Sequence, residues 1–147
     1  LYLRYYFTKN NKSFIQAGKF HLKTPLINLQ DGRMRPNLQE GVWAEWNELK
    51  KVKLKSGVLW KTSPRSTIHW YDIGQSLVYP NGRAVNGEKA SYTNFTQSDY
   101  ILIGNLTLKP VNGLDVQVWD YYVDQLFNMS FNKVEYKKKL GTHTVMV

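Results

Sequence analysis

Two arginines flank a methionine at Arg33-Met34-Arg35, close behind Asp31. In a loop that turns into a wet lumen, such guanidiniums line a constriction and attract carboxylates. In a loop packed on itself, the same residues form a bracing Asp31–Arg33 or Asp31–Arg35 ion pair, and both readings stand at this point. Lys19, Lys53, Lys55 and Arg65 fall on polar strand faces or at strand ends. There they bias a pore towards anions, or serve as solubilising charge. The run Lys137-Lys138-Lys139 suits lipopolysaccharide phosphates, although plain hydration fits it better. Trp70, Tyr71 and Asp120 are candidates for solute contact. His69, beside Trp70, fits a structural role better.

Other chemistries find little support. Cysteine is absent, which removes disulfides, thiolate catalysis and Cys-based metal sites. His21, His69 and His143 have no ligand spacing among themselves. No G-x-S-x-G elbow is present, and Asp120 and Asp124 do not have the spacing of a glycosidase pair. The sequence therefore predicts no enzyme, no cofactor and no metal. Lys+Arg is 20 and Asp+Glu 11, a formal charge of +9. That charge is scattered, with neither a Gly-rich phosphate loop nor an RNP-like aromatic strand, so nucleic acid is not expected. Anionic lipid, lipopolysaccharide, acidic solutes and acidic glycans are the partners that fit. Asn94 and Asn105 match glycosylation sequons.

The elements that must position these residues are strands. Leu1, Leu3, Tyr5 and Phe7 alternate with Tyr2, Arg4 and Tyr6, and a turn at residues 9–12 leads into a second strand over Ser13–Phe20. His21–Asn37 holds Pro25, Gly32 and Pro36 and reads as a long excursion. In Leu38–Trp46, Leu38, Val42, Ala44 and Trp46 share one face, broken by Glu40; Gln39, Gly41, Trp43 and Glu45 share the other. In Val52–Trp60, Val52, Leu54, Val58 and Trp60 oppose Lys53, Lys55, Gly57 and Leu59. Thr62–Gln97 reads as a long polar loop, unusual in a compact soluble domain. A hairpin follows across Pro110-Val111-Asn112-Gly113, its Asn-Gly tolerating positive φ. Asn128–Leu140 and Thr142–Val147 read as two further strands, and nothing in Asn128–Leu140 distinguishes its two faces.

Alternation with this aromatic content (14% Phe, Trp and Tyr) has two meanings. In a membrane barrel the apolar side chains face lipid between aromatic girdles and the polar ones face water. In a soluble β-sandwich the apolar side chains face inward. The second meaning makes the chain a glycan-binding module, with Trp43, Trp70, Tyr71 and Trp119 as stacking platforms. Long polar loops and abundant Tyr and Trp favour the first.

Several segments resemble the OprD-type outer-membrane porins. Gly18-Lys19-Phe20, Thr24-Pro25-Leu26-Ile27-Asn28, Asp31-Gly32-Arg33-Met34 and Pro36 look like that family's strand end followed by its "TP…D-x-R-M-x-P" loop. Trp60 to Thr67 with Trp70 is similar too, as is Leu114–Leu126, read as a strand leading into a loop. The resemblance covers about half of the chain. It implies an all-β, antiparallel, up-and-down transmembrane β-barrel of roughly eighteen strands with long loops, its pore narrowed by inward-folded loops. It implies passive diffusion of small polar or anionic solutes across the bacterial outer membrane. Contact with outer-membrane lipid and lipopolysaccharide follows, and oligomers or a larger envelope complex are compatible. A barrel of that size needs well over twice this length, and Thr144-Val145-Met146 lacks a terminal aromatic. The expectation is therefore that residues 1–147 are an internal part of a single barrel domain.

Overall fold

The computed structural model describes residues 1–9, 12–29, 32, 34–77, 85–88, 96–140 and 143–146. Alternating β-branched and aromatic residues form one antiparallel sheet. Its strands are β1 (Tyr2–Tyr6), β2 (Phe14–Phe20), β3 (Leu38–Trp46), β4 (Val52–Ser63), β5 (Tyr71–Asp72), β6 (Ile101–Leu108), β7 (Leu114–Val123), β8 (Phe127–Leu140) and β9 (His143–Met146). The order is β1-β2-β3-β4-β6-β7-β8-β9, with β5 added to β4. Apart from the two-residue β5, each strand thus pairs with its neighbour in sequence, an up-and-down meander. A sandwich requires a second sheet, whereas all the strands among the described residues belong to this one. The glycan-binding sandwich is set aside on that ground.

Strands β3, β4, β7 and β8 have 9, 12, 10 and 14 residues. A tilted strand needs about 9–11 residues to cross a bilayer. No described helix is long and apolar enough to do so. Residues 7–13, 47–51 and 109–113 are short links at one end of the sheet, whereas 21–37 and 64–100 are long links at the other. The 109–113 turn closes with Gly113 at φ 88 and Leu114 N donating to Val111 O at 3.2 Å. Between β7 and β8 lies a tight turn, with Gln125 at φ 56 and Leu126 N donating to Val123 O at 3.1 Å. The loop expected after Leu126 is not there. The expected long polar loop also contains β5 and a short helix, α1 (Ile73–Leu77), anchored by buried Ile73.

Register gives the sheet two unlike faces. On one stand Leu3, Tyr5, Ile15, Leu54, Leu102, Val118, Val134 and Tyr136, all exposed. Leu3 is 78% and Val134 63% accessible, which water would not tolerate over so broad a patch. On the other face Phe20, Trp43, Leu59, Ile103, Trp119 and Tyr121 are buried, and Leu22 and Ile27 from the 21–37 loop pack against them. The core is therefore a loop laid on a sheet. Pairing with β7 also settles β8. Val134 and Tyr136 continue the apolar face beside Val116 and Leu114. Nearer the long links the pattern inverts, and Phe127, Met129 and Phe131 stand on the loop-covered face.

Candidate functional site

The loop-covered face has two zones. Towards the long links it is the apolar cluster under residues 21–37. Towards the short turns it becomes a polar wall. Arg4 lies over the Phe14 ring, 4.2 Å from its centroid, and gives Nε and one Nη to Gln16 Oε1 at 2.9 and 2.6 Å. Lys55 Nζ meets Glu45 at 3.3 Å, and Glu45 also accepts Trp43 Nε1 at 3.0 Å. Further along, Thr107 Oγ1 donates to Asn105 Oδ1 at 3.1 Å, and Asn105 Nδ2 donates to Val118 O at 3.1 Å. Lys109–Asp115 and Lys133–Glu135 close at 3.3 and 3.2 Å. Neither Arg4 nor Lys53 has a carboxylate partner among the described residues. The wall therefore carries uncompensated positive charge.

Two glycines shape this wall. A Cβ on Gly57 would lie 2.5 Å from Trp43 Cε3 and 2.6 Å from Val42 O. One on Gly41 would lie 2.1 Å from Val58 O. With no side chain at 57, the Trp43 indole lies against the sheet directly opposite it.

The loop is held from both sides. Thr24 N donates to Ile27 O at 3.0 Å and Ile27 N to Thr24 Oγ1 at 3.1 Å, a tight turn over the cluster. Asn37 N donates to Leu29 O at 2.8 Å and Asn37 Nδ2 to Asn28 O at 2.6 Å, drawing the two ends of residues 28–37 together.

The expected site residues separate into groups. Lys53 and Lys55 stand together on the loop-covered face. Arg35 and Arg65, both exposed, are brought close by backbone, through Ser66 N to Arg35 O at 3.1 Å and Arg65 N to Asn37 Oδ1 at 2.7 Å. Asp31 and Arg33 lie outside the described residues, as does any ion pair of Asp31. Lys19 departs from the expectation. It pairs across from Glu40 on the apolar face, at 3.6 Å, and its Nζ sits 4.4 Å from the Trp70 centroid. Glu40 also accepts Trp60 Nε1 at 3.1 Å. Lys19 and Trp70 thus form part of an aromatic rim away from the polar wall, because odd-numbered β2 residues point outward. Asp120 is likewise on the apolar side, hydrogen-bonded by Ser130 Oγ at 2.7 Å. Tyr71 pairs with Thr62 as part of β5. Lys137 to Lys139 lie near the β8–β9 turn, at the short-turn end. Arg4, Asn37 and Lys133 were not singled out from sequence. Arg4 was visible as the polar member of its strand face, whereas Asn37 had no periodic signal.

A single antiparallel meander, apolar on one face and carrying on the other a folded-in loop beside a polar wall, defines a section of outer-membrane β-barrel wall. The chain belongs to the OprD family of outer membrane porins, whose pattern matches residues 8–147. Its fold is similar to that of Pseudomonas aeruginosa OccD3 (OpdP), at 20% identity and TM-score 0.69 over 91% of this chain and 30% of that one. It is also similar to Pseudomonas aeruginosa OpdK, at 18% and 0.71 over 91% and 33%. Acinetobacter baumannii OccAB1 is a further neighbour, at 16% and 0.67 over 91% and 28%. The chain thus spans about a third of the length of these porins. No curated protein matches by sequence.

Proposed function

We propose that the protein containing this chain is a water-filled outer-membrane channel for passive diffusion of small polar and anionic solutes. In this reading the apolar face meets lipid and the loop-covered face lines the lumen. The observation that carries the reading is this division of faces. Exposed apolar side chains stand on one face, and the other bears Arg4 and Lys53 without carboxylate partners among the described residues. Lys53 and Lys55 line the wall, and Arg35 and Arg65, with Asp31 and Arg33, belong to the constriction. Two neighbours of the same fold, OpdK with vanillate and OccK2 (OpdF) with glucuronate, hold carboxylates, which supports an anionic solute here. Short turns face the periplasm in such barrels, so Lys137 to Lys139 are not proposed as a lipopolysaccharide contact.

The test is bilayer conductance of the full-length protein. Anion-favouring reversal potentials in a salt gradient, moved towards cations by Arg35→Gln with Arg33→Gln, are the expected result. A protein that inserts and passes no current overturns the channel reading. An unmoved reversal potential removes these two arginines from the constriction.

A further inference from the structure

The channel reading assigns the constriction to the 21–37 loop and leaves open what holds that loop at one depth. Apolar packing alone does this poorly, since Leu22 and Ile27 pack near its start, whereas exposed Arg35 lies near its end. The second half needs polar anchors.

Asn37 supplies them at the foot of β3. Its side-chain oxygen accepts Arg65 N at 2.7 Å, and its side-chain amide donates to Asn28 O at 2.6 Å. Its own N–H donates to Leu29 O at 2.8 Å. Only one orientation of the amide satisfies both side-chain contacts, because an N–H donor faces Oδ1 and a carbonyl faces Nδ2. The next residue of the outer loop repeats the contact, with Ser66 N donating to Arg35 O at 3.1 Å. Ser66 does so at φ 64, a left-handed backbone that a serine rarely adopts without surrounding constraint. Successive amides of one loop thus grip the end of the other, and the grip is centred on a single asparagine.

Resting on the channel reading, we propose that Asn37 is a positioning residue of the pore: it clasps the constriction loop to the Arg65–Ser66 turn and so sets the width of the opening. Asparagine suits this task because it carries a donor and an acceptor on a short stem. Aspartate keeps only the acceptor, and alanine keeps neither.

The test uses single-channel recording of the full-length porin and of two variants. An exposed hydrogen bond of this kind is worth a factor of roughly five in an equilibrium. Asn37→Ala, losing two, is expected to raise the time spent in sub-conductance states by roughly 25-fold. Asn37→Asp, losing one, is expected to raise it by roughly five-fold. That graded rescue is what a residue important only for folding does not produce. Wild-type noise in an inserted Asn37→Ala channel overturns the proposal. Amide exchange at Arg65 in the detergent-solubilised wild-type protein gives a second measure that needs neither a variant nor a current. Protection supports the clasp, and exchange at the free-peptide rate overturns it. A wild-type protein that conducts nothing yet protects Arg65 overturns the channel reading and leaves the clasp standing.

Discussion

Lys53 offers the sharpest check on which face is wet. It stands opposite Thr107 on the loop-covered face, with no carboxylate partner among the described residues. Two residues on, Lys55 is neutralised by Glu45 at 3.3 Å. A unit charge about 7 Å from an ion's path in water is worth about 0.6 kcal/mol, which roughly 0.1 M salt halves. The remaining ~0.3 kcal/mol enriches anions about 1.6-fold and depletes cations equally, a change of roughly two- to three-fold in their ratio. Lys53→Gln should lower the anion-to-cation permeability ratio by that factor, read as a shift of reversal potential under a potassium chloride gradient. The paired change Lys55→Gln with Glu45→Gln removes one charge of each sign and should leave the potential where it was. Raising the salt to about 1 M should abolish the Lys53 effect, because the Debye length falls to about 3 Å. An unmoved potential for Lys53→Gln at low salt refutes the placement of Lys53 on the water side. So does a shift in the double variant as large as in the single one.

Other outcomes concern stability, measured as urea unfolding of the full-length porin from lipid bilayers. Val58→Arg, mid-strand on the apolar face, should cost about 2–4 kcal/mol, while Lys53→Arg on the other face should cost almost nothing; equal costs contradict the assignment of faces. Gly57→Ala places a methyl 2.5 Å from Trp43 Cε3 and should cost about 1–3 kcal/mol by overpacking, with a change in indole fluorescence; an unchanged midpoint and spectrum would show that the indole has slack. Gly113→Ala sets a Cβ at φ 88 and 2.1 Å from Lys137 O, so a loss of at least about 1 kcal/mol is expected, and a neutral result would mean that the turn relaxes freely.

Much of the wall was legible because a barrel strand writes itself at period two. Leu38–Trp46, Val52–Trp60 and the hairpin around Asn112-Gly113 correspond to β3, β4, β6 and β7, and in β3 and β4 the faces are as read. What stayed hidden was tertiary. Residues such as Phe20, Leu59, Ile103 and Trp119 sit on the polar side of their strands, and no alternation shows that a loop covers them. Ile73 gave no periodic sign of α1, since a five-residue helix has barely one turn to display. β4 runs past Trp60 to Ser63 through a register shift between Glu40 and Gly41, which no single-strand pattern reveals. The surroundings of Lys19 stayed hidden for a related reason, since its cross-strand neighbour Glu40 and the Trp70 ring on the apolar face are brought to it only by the fold.

The pairing of Gly57 with Trp43 bears on how such a pore changes over generations. In this reading the loop above the cluster sets the bore, and its height rests partly on atoms that are missing, since the buried indole occupies the space that a side chain at 57 would take. A single codon change at 57 would push a large buried ring against the loop that covers it, moving the loop without altering any residue of the loop itself. Caliber could thus drift independently of charge, and one barrel wall could be retuned for bulkier or slimmer cargo while its cationic lining stays as it is.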